Sequence, residues 1–150
     1  MNLRPFREYR NAGVVKPQTP DRERAAALIE EAVEKRQFLS LTEKSIPQGK
    51  MSPNFVVDYC YDILLEMIRA KMHLDGLNAG TSHQAEVAYL EELDFSPDEV
   101  RFLDEMRYYR NGTKYYGTLL TDAYANKVRA FQEALFPRLK ALCQAQASHR

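Results

Sequence analysis

The strongest hydrophobic pattern in the chain runs from Ser52 to Gly76, SPNFVVDYCYDILLEMIRAKMHLDG. At about 100° per residue, Asn54, Asp58, Asp62, Glu66, Arg69 and His73 share an arc of roughly 120°. Val56, Val57, Tyr59, Cys60, Tyr61, Ile63, Leu64, Met67, Ile68 and Leu74 fill the rest, and Phe55, Leu65 and Met72 intrude on the polar arc or its edge. Before the last turn only Lys71 interrupts the apolar face, where a long stem can snorkel. Ser52 followed by Pro53 reads as a helix start and Gly76 as a stop. About 22 residues then make a rod on the order of 33 Å long. A helix that is apolar over most of its circumference has to be covered by several others, so this pattern predicts the centre of a bundle.

The flanking patterns predict the covering helices. Thr19-Pro20-Asp21 opens a helix whose stripe is Ala25, Leu28, Ile29, Ala32 and Val33 and which ends near Leu39; residues 42–51 follow as a polar link. After a loop at 77–80, Thr81-Ser82-His83-Gln84 resembles a capping box for a helix to about Leu93. Ser96-Pro97-Asp98-Glu99 is a cleaner box, starting a helix that reaches Arg110, with Asn111-Gly112 as a stop signal. The last helix carries Tyr124, Val128, Phe131, Leu135, Leu139 and Leu142 at threes and fours, and Pro137 is expected to kink or break it. No run has a convincing period of two. The predicted fold is therefore all-α: an up-and-down bundle of four or five helices with antiparallel neighbours. Its domain spans 20–147, after an arm at 1–19 that packs through Phe6 and Tyr9 and holds Arg4, Arg7 and Arg10.

Composition narrows the function classes. Over 150 residues, 21 lysines and arginines balance 21 aspartates and glutamates, so no global field recruits nucleic acid or an anionic membrane, and any anion site is local. Cys60 and Cys143 form no disulfide framework or metal spacing and read as reduced, small hydrophobes. With no signal-peptide pattern and no stretch of 18 apolar residues, the expectation is a cytoplasmic protein with no membrane span. No phosphate-cradling glycine loop, Cys-x-x-Cys pair or nucleophile elbow is present, and no cofactor is expected. Asp58, Asp62 and Glu66 stack at four-residue spacing, which could present oxygens to Mg²⁺ or to a basic partner; the plainer reading is a solvated face. His83 at a helix start reads as a capping or packing residue, and no metal site is expected.

Chemistry concentrates in LDEMRYYRNGTKYYG, Leu103 to Gly117. Val100, Leu103, Arg107 and Arg110 fall within about 80° on a helical wheel, so a stripe that starts apolar turns cationic; Lys114 extends it if the helix continues. Tyr108, Tyr109, Tyr115 and Tyr116 surround these charges. Forked guanidinium donors beside aromatic faces are what recognition of phosphate plus base requires. The alternative is structural: cations in a last helical turn favour the helix dipole, and tyrosines bury well.

The long apolar helix, the short helix opening at Ser82-His83, and Leu103…Arg107…Arg110-Asn111…Tyr115-Tyr116-Gly117 together resemble the HEPN domains of prokaryotes, over about residues 20–140. That resemblance implies an up-and-down four-helix bundle, a homodimer, and a partner nucleotidyltransferase. In many members it also implies metal-independent ribonuclease activity from an arginine followed four to six residues later by a histidine. Here the family arginine maps to Arg110, its polar neighbour to Asn111 and the histidine to Tyr115. A phenol with an ordinary pKa near 10 is not a general base near neutrality. Tyr116 stands one residue from where some members carry an adenylylated tyrosine, a position held here by Gly117. The expected function is nucleotide or RNA binding by Arg107, Arg110, Asn111, Lys114, Tyr115 and Tyr116, with no catalytic residue assigned. The alternatives are a ribonuclease with an altered active site and a non-catalytic helical dimer.

Overall fold

The computed structural model describes residues 3–148; the third histidine of the chain, His149, lies outside them. The elements are α1 (Phe6–Asn11), β1 (Lys16–Pro17), α2 (Arg22–Ser45), α3 (Pro53–Leu74), β2 (Leu77–Asn78), α4 (His83–Ala88), a 3₁₀ turn (Tyr89–Leu93), α5 (Pro97–Tyr116) and α6 (Asp122–Ser148). Their starts follow the capping chemistry of the sequence. Asp21 accepts from the Arg24 amide at 2.9 Å, Ser52 from Phe55 at 3.4 Å and Ser82 from Ala85 at 3.1 Å. Ser96 and Glu99 cap each other reciprocally, at 3.1 and 2.9 Å.

Cross-contacts fix the directions. Phe38 meets Tyr59 while Arg24 meets His73, so α2 and α3 are antiparallel. Arg36–Glu133 and Glu43–Arg129 run α6 against α2, and Arg138–Glu99 and Tyr109–Tyr124 run α6 against α5. The architecture is an all-α bundle in which α2, α3, α5 and α6 alternate up and down, as the apolar periodicities predicted. At its centre α3 buries Val57, Cys60, Tyr61, Ile63, Leu64, Met67 and Ile68 completely. Its largest packing surfaces are with α2 and α6. Phe6, Tyr9 and Val15 of the expected arm are buried too. Phe6 lies 4.8 Å from the ring of Tyr89, and Lys16 and Pro17 pair antiparallel with Asn78 and Leu77. Gly76 permits that pairing: its φ is +73°, and a Cβ there would stand 2.8 Å from the Gln18 carbonyl oxygen.

Several boundaries differ from expectation. α2 continues past Leu39 to Ser45, because Glu43 in the extension pairs with Arg129 of α6. Ser82 caps α4, but Ala85 stands where a box needs Glu or Gln, and the α-helical turns give way to 3₁₀ after Ala88. α5 passes through Asn111-Gly112 and stops at Gly117, where φ is +67°. Gly112 is helical there, and a Cβ would lie 3.1 Å from Thr118 Oγ1, a tight contact that the Thr118 side chain would have to relieve by a small shift. α6 is one helix through Pro137, because Leu135, Leu139 and Cys143 keep its buried face continuous on both sides of the proline.

Candidate functional site

The polar arc of α3 is not the solvated face that its charge pattern suggested. Its polar side chains meet five different parts of the protein, Asp58 and Asp62 sharing one of them. Asn54 donates to the Thr118 carbonyl and accepts from the Leu120 amide, both at 2.9 Å, fastening the α5–α6 loop. Asp58 and Asp62 accept the Arg110 guanidinium, Glu66 accepts Lys35, Arg69 grips Glu86 through two bonds, and His73 faces Gln18 and Arg24. Among the described residues no group of three or more His, Cys, Asp or Glu is placed to hold a metal ion.

The extra turn and a half of α5 places the predicted residues. Arg107, Arg110 and Lys114 share one face of it, turned towards α3 and the start of α4. Arg110 donates through Nε to Asp58 at 2.9 Å, with Nη2 at 3.5 Å from Asp62, and its guanidinium carbon lies 5.4 Å from the centre of the buried Tyr61 ring. Burial opposes its charge, but the bond to Asp58 and the nearby Asp62 keep its pKa above the ordinary value. Asp62 is raised as well, first by burial and then by Asp58, against the opposing pull of Arg110, Lys35 and Lys114. Arg107 donates through Nε to the buried Asp104 at 2.8 Å. Lys114 is exposed and reaches Asp58 only at 4.0 Å.

Both guanidinium groups are therefore held by carboxylates, and they also line an open cup of about 390 Å³ with Ser82, His83, Asn111 and Tyr115. Each carboxylate engages the Nε side, which fixes the planes of the guanidinium groups and leaves N–H edges for a ligand. His83 has its Nδ1 3.4 Å from the Tyr61 hydroxyl. Burial, and then Arg69 and Arg110 against the opposing Glu86, lowers its pKa, so the imidazole is neutral near pH 7.

On the other side of the ridge formed by Asn111 and Tyr115 lies a second cleft, of about 600 Å³, lined by Tyr108, Tyr109, Tyr115, Tyr116 and Thr118. Tyr115 is 72% exposed and Tyr116 84%. Tyr109 is anchored edge-on against Tyr108 and Tyr124, with centroids 5.5 and 5.1 Å apart. The fold thus brings Arg107, Arg110, Asn111 and Tyr115 into the cup. Tyr116 lines only the aromatic cleft, and Lys114 stands at the α3 side.

Two contributors escaped the sequence reading. Tyr61 looked like one more core aromatic, and His83 is 24 residues upstream of Arg107 on a different helix, so no local spacing connects them. Comparison of the chain with protein-family models, with curated proteins and with solved structures finds no match.

Proposed function

We propose that the C-terminal turns of α5 form a nucleotide- or RNA-binding site in a HEPN-like domain that works as a homodimer beside a nucleotidyltransferase. One observation carries the reading: a guanidinium cup and a tyrosine cleft share a single ridge, Asn111 and Tyr115. Phosphate oxygens fit the N–H edges of Arg107 and Arg110, and a base stacks on the exposed faces of Tyr115 or Tyr116. Exposed aromatic rings on this scale are also unusual on a surface that contacts only water.

Fluorescence anisotropy with a labelled short RNA tests the site. Tyr115→Ala and Tyr116→Ala, both at exposed positions, should weaken binding by about 1–3 kcal/mol per base that loses its stack. Binding undiminished in both variants would remove the cleft from consideration.

A second reading, metal-independent RNA cleavage, draws support from His83. A neutral imidazole beside two arginines is equipped to take a 2′-hydroxyl proton while they balance charge on the phosphorus. Cleavage in the presence of a chelator that disappears in His83→Ala would favour it; an uncut RNA that still binds would leave the binding reading alone.

A further inference from the structure

A third cavity, of about 420 Å³, opens at the other end of the α3 polar arc, and the proposed RNA site makes no use of it. Arg24, Arg69, His73, Gln18, Asp21 and Glu86 are in its walls. His73 is only 8% exposed, and its two ring nitrogens have distinct neighbours. Gln18 Nε2 is 2.9 Å from Nδ1, and Arg24 Nε is 3.2 Å from Nε2.

The proton count decides what these contacts are. The Gln18 amide is oriented twice over: its nitrogen donates to the Leu77 carbonyl at 3.3 Å, and its oxygen accepts from Asn78 Nδ2 at 3.3 Å. It therefore presents its second N–H to His73 Nδ1, which has to be the lone-pair nitrogen. A neutral imidazole has one ring proton, so that proton is on Nε2. Burial, and then Arg24, lowers the His73 pKa and keeps the ring neutral; Asp21 and Glu86 act in the opposite direction, and Arg69 with Arg24. His73 Nε2–H and Arg24 Nε–H then converge on each other with no acceptor between them.

The nearby carboxylates do not resolve this. Asp21 Oδ1 caps α2 through the Arg24 amide, and both Glu86 oxygens are taken by Arg69 Nε and Nη2. Among the described residues no carboxylate is in ion-pair contact with the guanidinium of Arg24, an exposed residue that lines the cavity. The Nη1 edge of Arg69 makes no bond to Glu86 either.

We propose that this cavity binds a small oxyanion, a phosphoryl or carboxylate group, which accepts from His73 Nε2–H and Arg24 and borders the remaining edge of Arg69. A buried donor facing another donor is costly until an acceptor arrives, and an oxyanion satisfies both at once.

Two NMR measurements on the full chain test it. Long-range ¹H–¹⁵N correlations of the His73 ring should show the Nε2–H tautomer; the Nδ1–H tautomer would let Arg24 donate to Nε2 and would overturn the proposal. Titration with sodium sulfate at constant ionic strength should then move the His73 ring signals saturably. Arg24→Gln, at an exposed position outside the core, should weaken that response at least about tenfold, the scale of losing one charge-assisted bond. Absence of a saturable shift, or an equal one in Arg24→Gln, would likewise overturn the proposal. Parallel titrations with inorganic phosphate and acetate identify the head group: the tighter of the two names the class. RNA binding at α5 is a separate readout, and Arg24→Gln should leave it unchanged.

Discussion

Lys35 and Glu66 show how unequal the two halves of one ion pair can be. They hydrogen-bond across the α2–α3 interface, but the Glu66 side chain is 8% exposed against 24% for Lys35, and Glu66 Oε2 has no partner among the described residues. Burial lifts the Glu66 carboxyl above its ordinary value even though the bond to Lys35 pulls it down. A carboxyl whose folded pKa is raised holds its proton more tightly when folded, so its ionisation removes stability as pH rises through that window. Lys35→Met should therefore cost about 3 kcal/mol at pH 7.5, because it leaves a buried carboxylate without its cation. Glu66→Gln should cost under about 1 kcal/mol, since the lysine stem can turn its ammonium to water. Urea denaturation at pH 7.5 and again near pH 4 checks both. The Lys35→Met penalty should shrink at the lower pH, where Glu66 takes up a proton, and a penalty of unchanged size would contradict the assignment. At this scale the sequence spoke clearly about residue types and poorly about partners. Asn111 entered as a site residue only through the family resemblance, whereas Arg107 and Arg110 were legible as a cationic break in an apolar stripe. Their carboxylate partner Asp104 is a turn away, but Asp58 and Asp62 are on another helix, 52 and 48 residues from Arg110, and only the fold brings them there.

Helix identity came from periodicity, whereas helix length was decided by neighbours. Asn111-Gly112 is as good a local stop as Gly117. The later one wins because Asn54 of α3 holds the 118–120 backbone and Thr118 donates its amide to the Gly112 carbonyl, at 3.2 Å. This difference of about a turn and a half matters for the site, because it places Tyr115 on the helix between the cup and the cleft rather than in a loop. Pro137 is the same lesson with the opposite sign. Local chemistry predicts a break, since proline cannot donate to the Glu133 carbonyl, yet Leu135, Leu139 and Cys143 are buried on either side and hold α6 in one piece. Because Pro137 is exposed, Pro137→Ala loses no packing and restores the missing donor. Its helix-propensity gain of up to about 3 kcal/mol is offset by roughly 1 kcal/mol of extra freedom in the unfolded chain. A net stabilisation of about 1–2 kcal/mol, read as a rise of several degrees in Tm, is expected. A lower Tm would mean that the helix depends on a bend at this position. The two-residue ladder of β1 and β2 had no periodic signature because two residues are too few to show one.

Across the whole molecule, equal numbers of acidic and basic residues are distributed as pairs: Arg36 and Arg129 with Glu133 and Glu43, Arg138 with Glu99, Arg69 with Glu86. Among the described residues no helix is long and apolar enough to cross a membrane. A protein with this charge plan has little long-range field with which to gather nucleic acid, so recognition at α5 has to rest on contact. That separates a local site from diffuse attraction by a measurable quantity. For a single strand, each phosphate neutralised by a protein cation contributes about −0.7 to the slope of log K against log salt. Arg107, Arg110 and Lys114 are the cations at the site, and Asp104, Asp58 and Asp62 already share their charge. Binding of a short RNA should then show a slope no steeper than about −2, with the remaining affinity, carried by stacking on Tyr115 and Tyr116, persisting at high salt. A salt titration of the anisotropy assay measures it directly. A slope well beyond that limit would require phosphates to engage cations elsewhere, with Arg4, Arg7 and Arg10 near the N-terminus the nearest unused cluster in the sequence, and the α5 ridge would then be at most part of the binding surface.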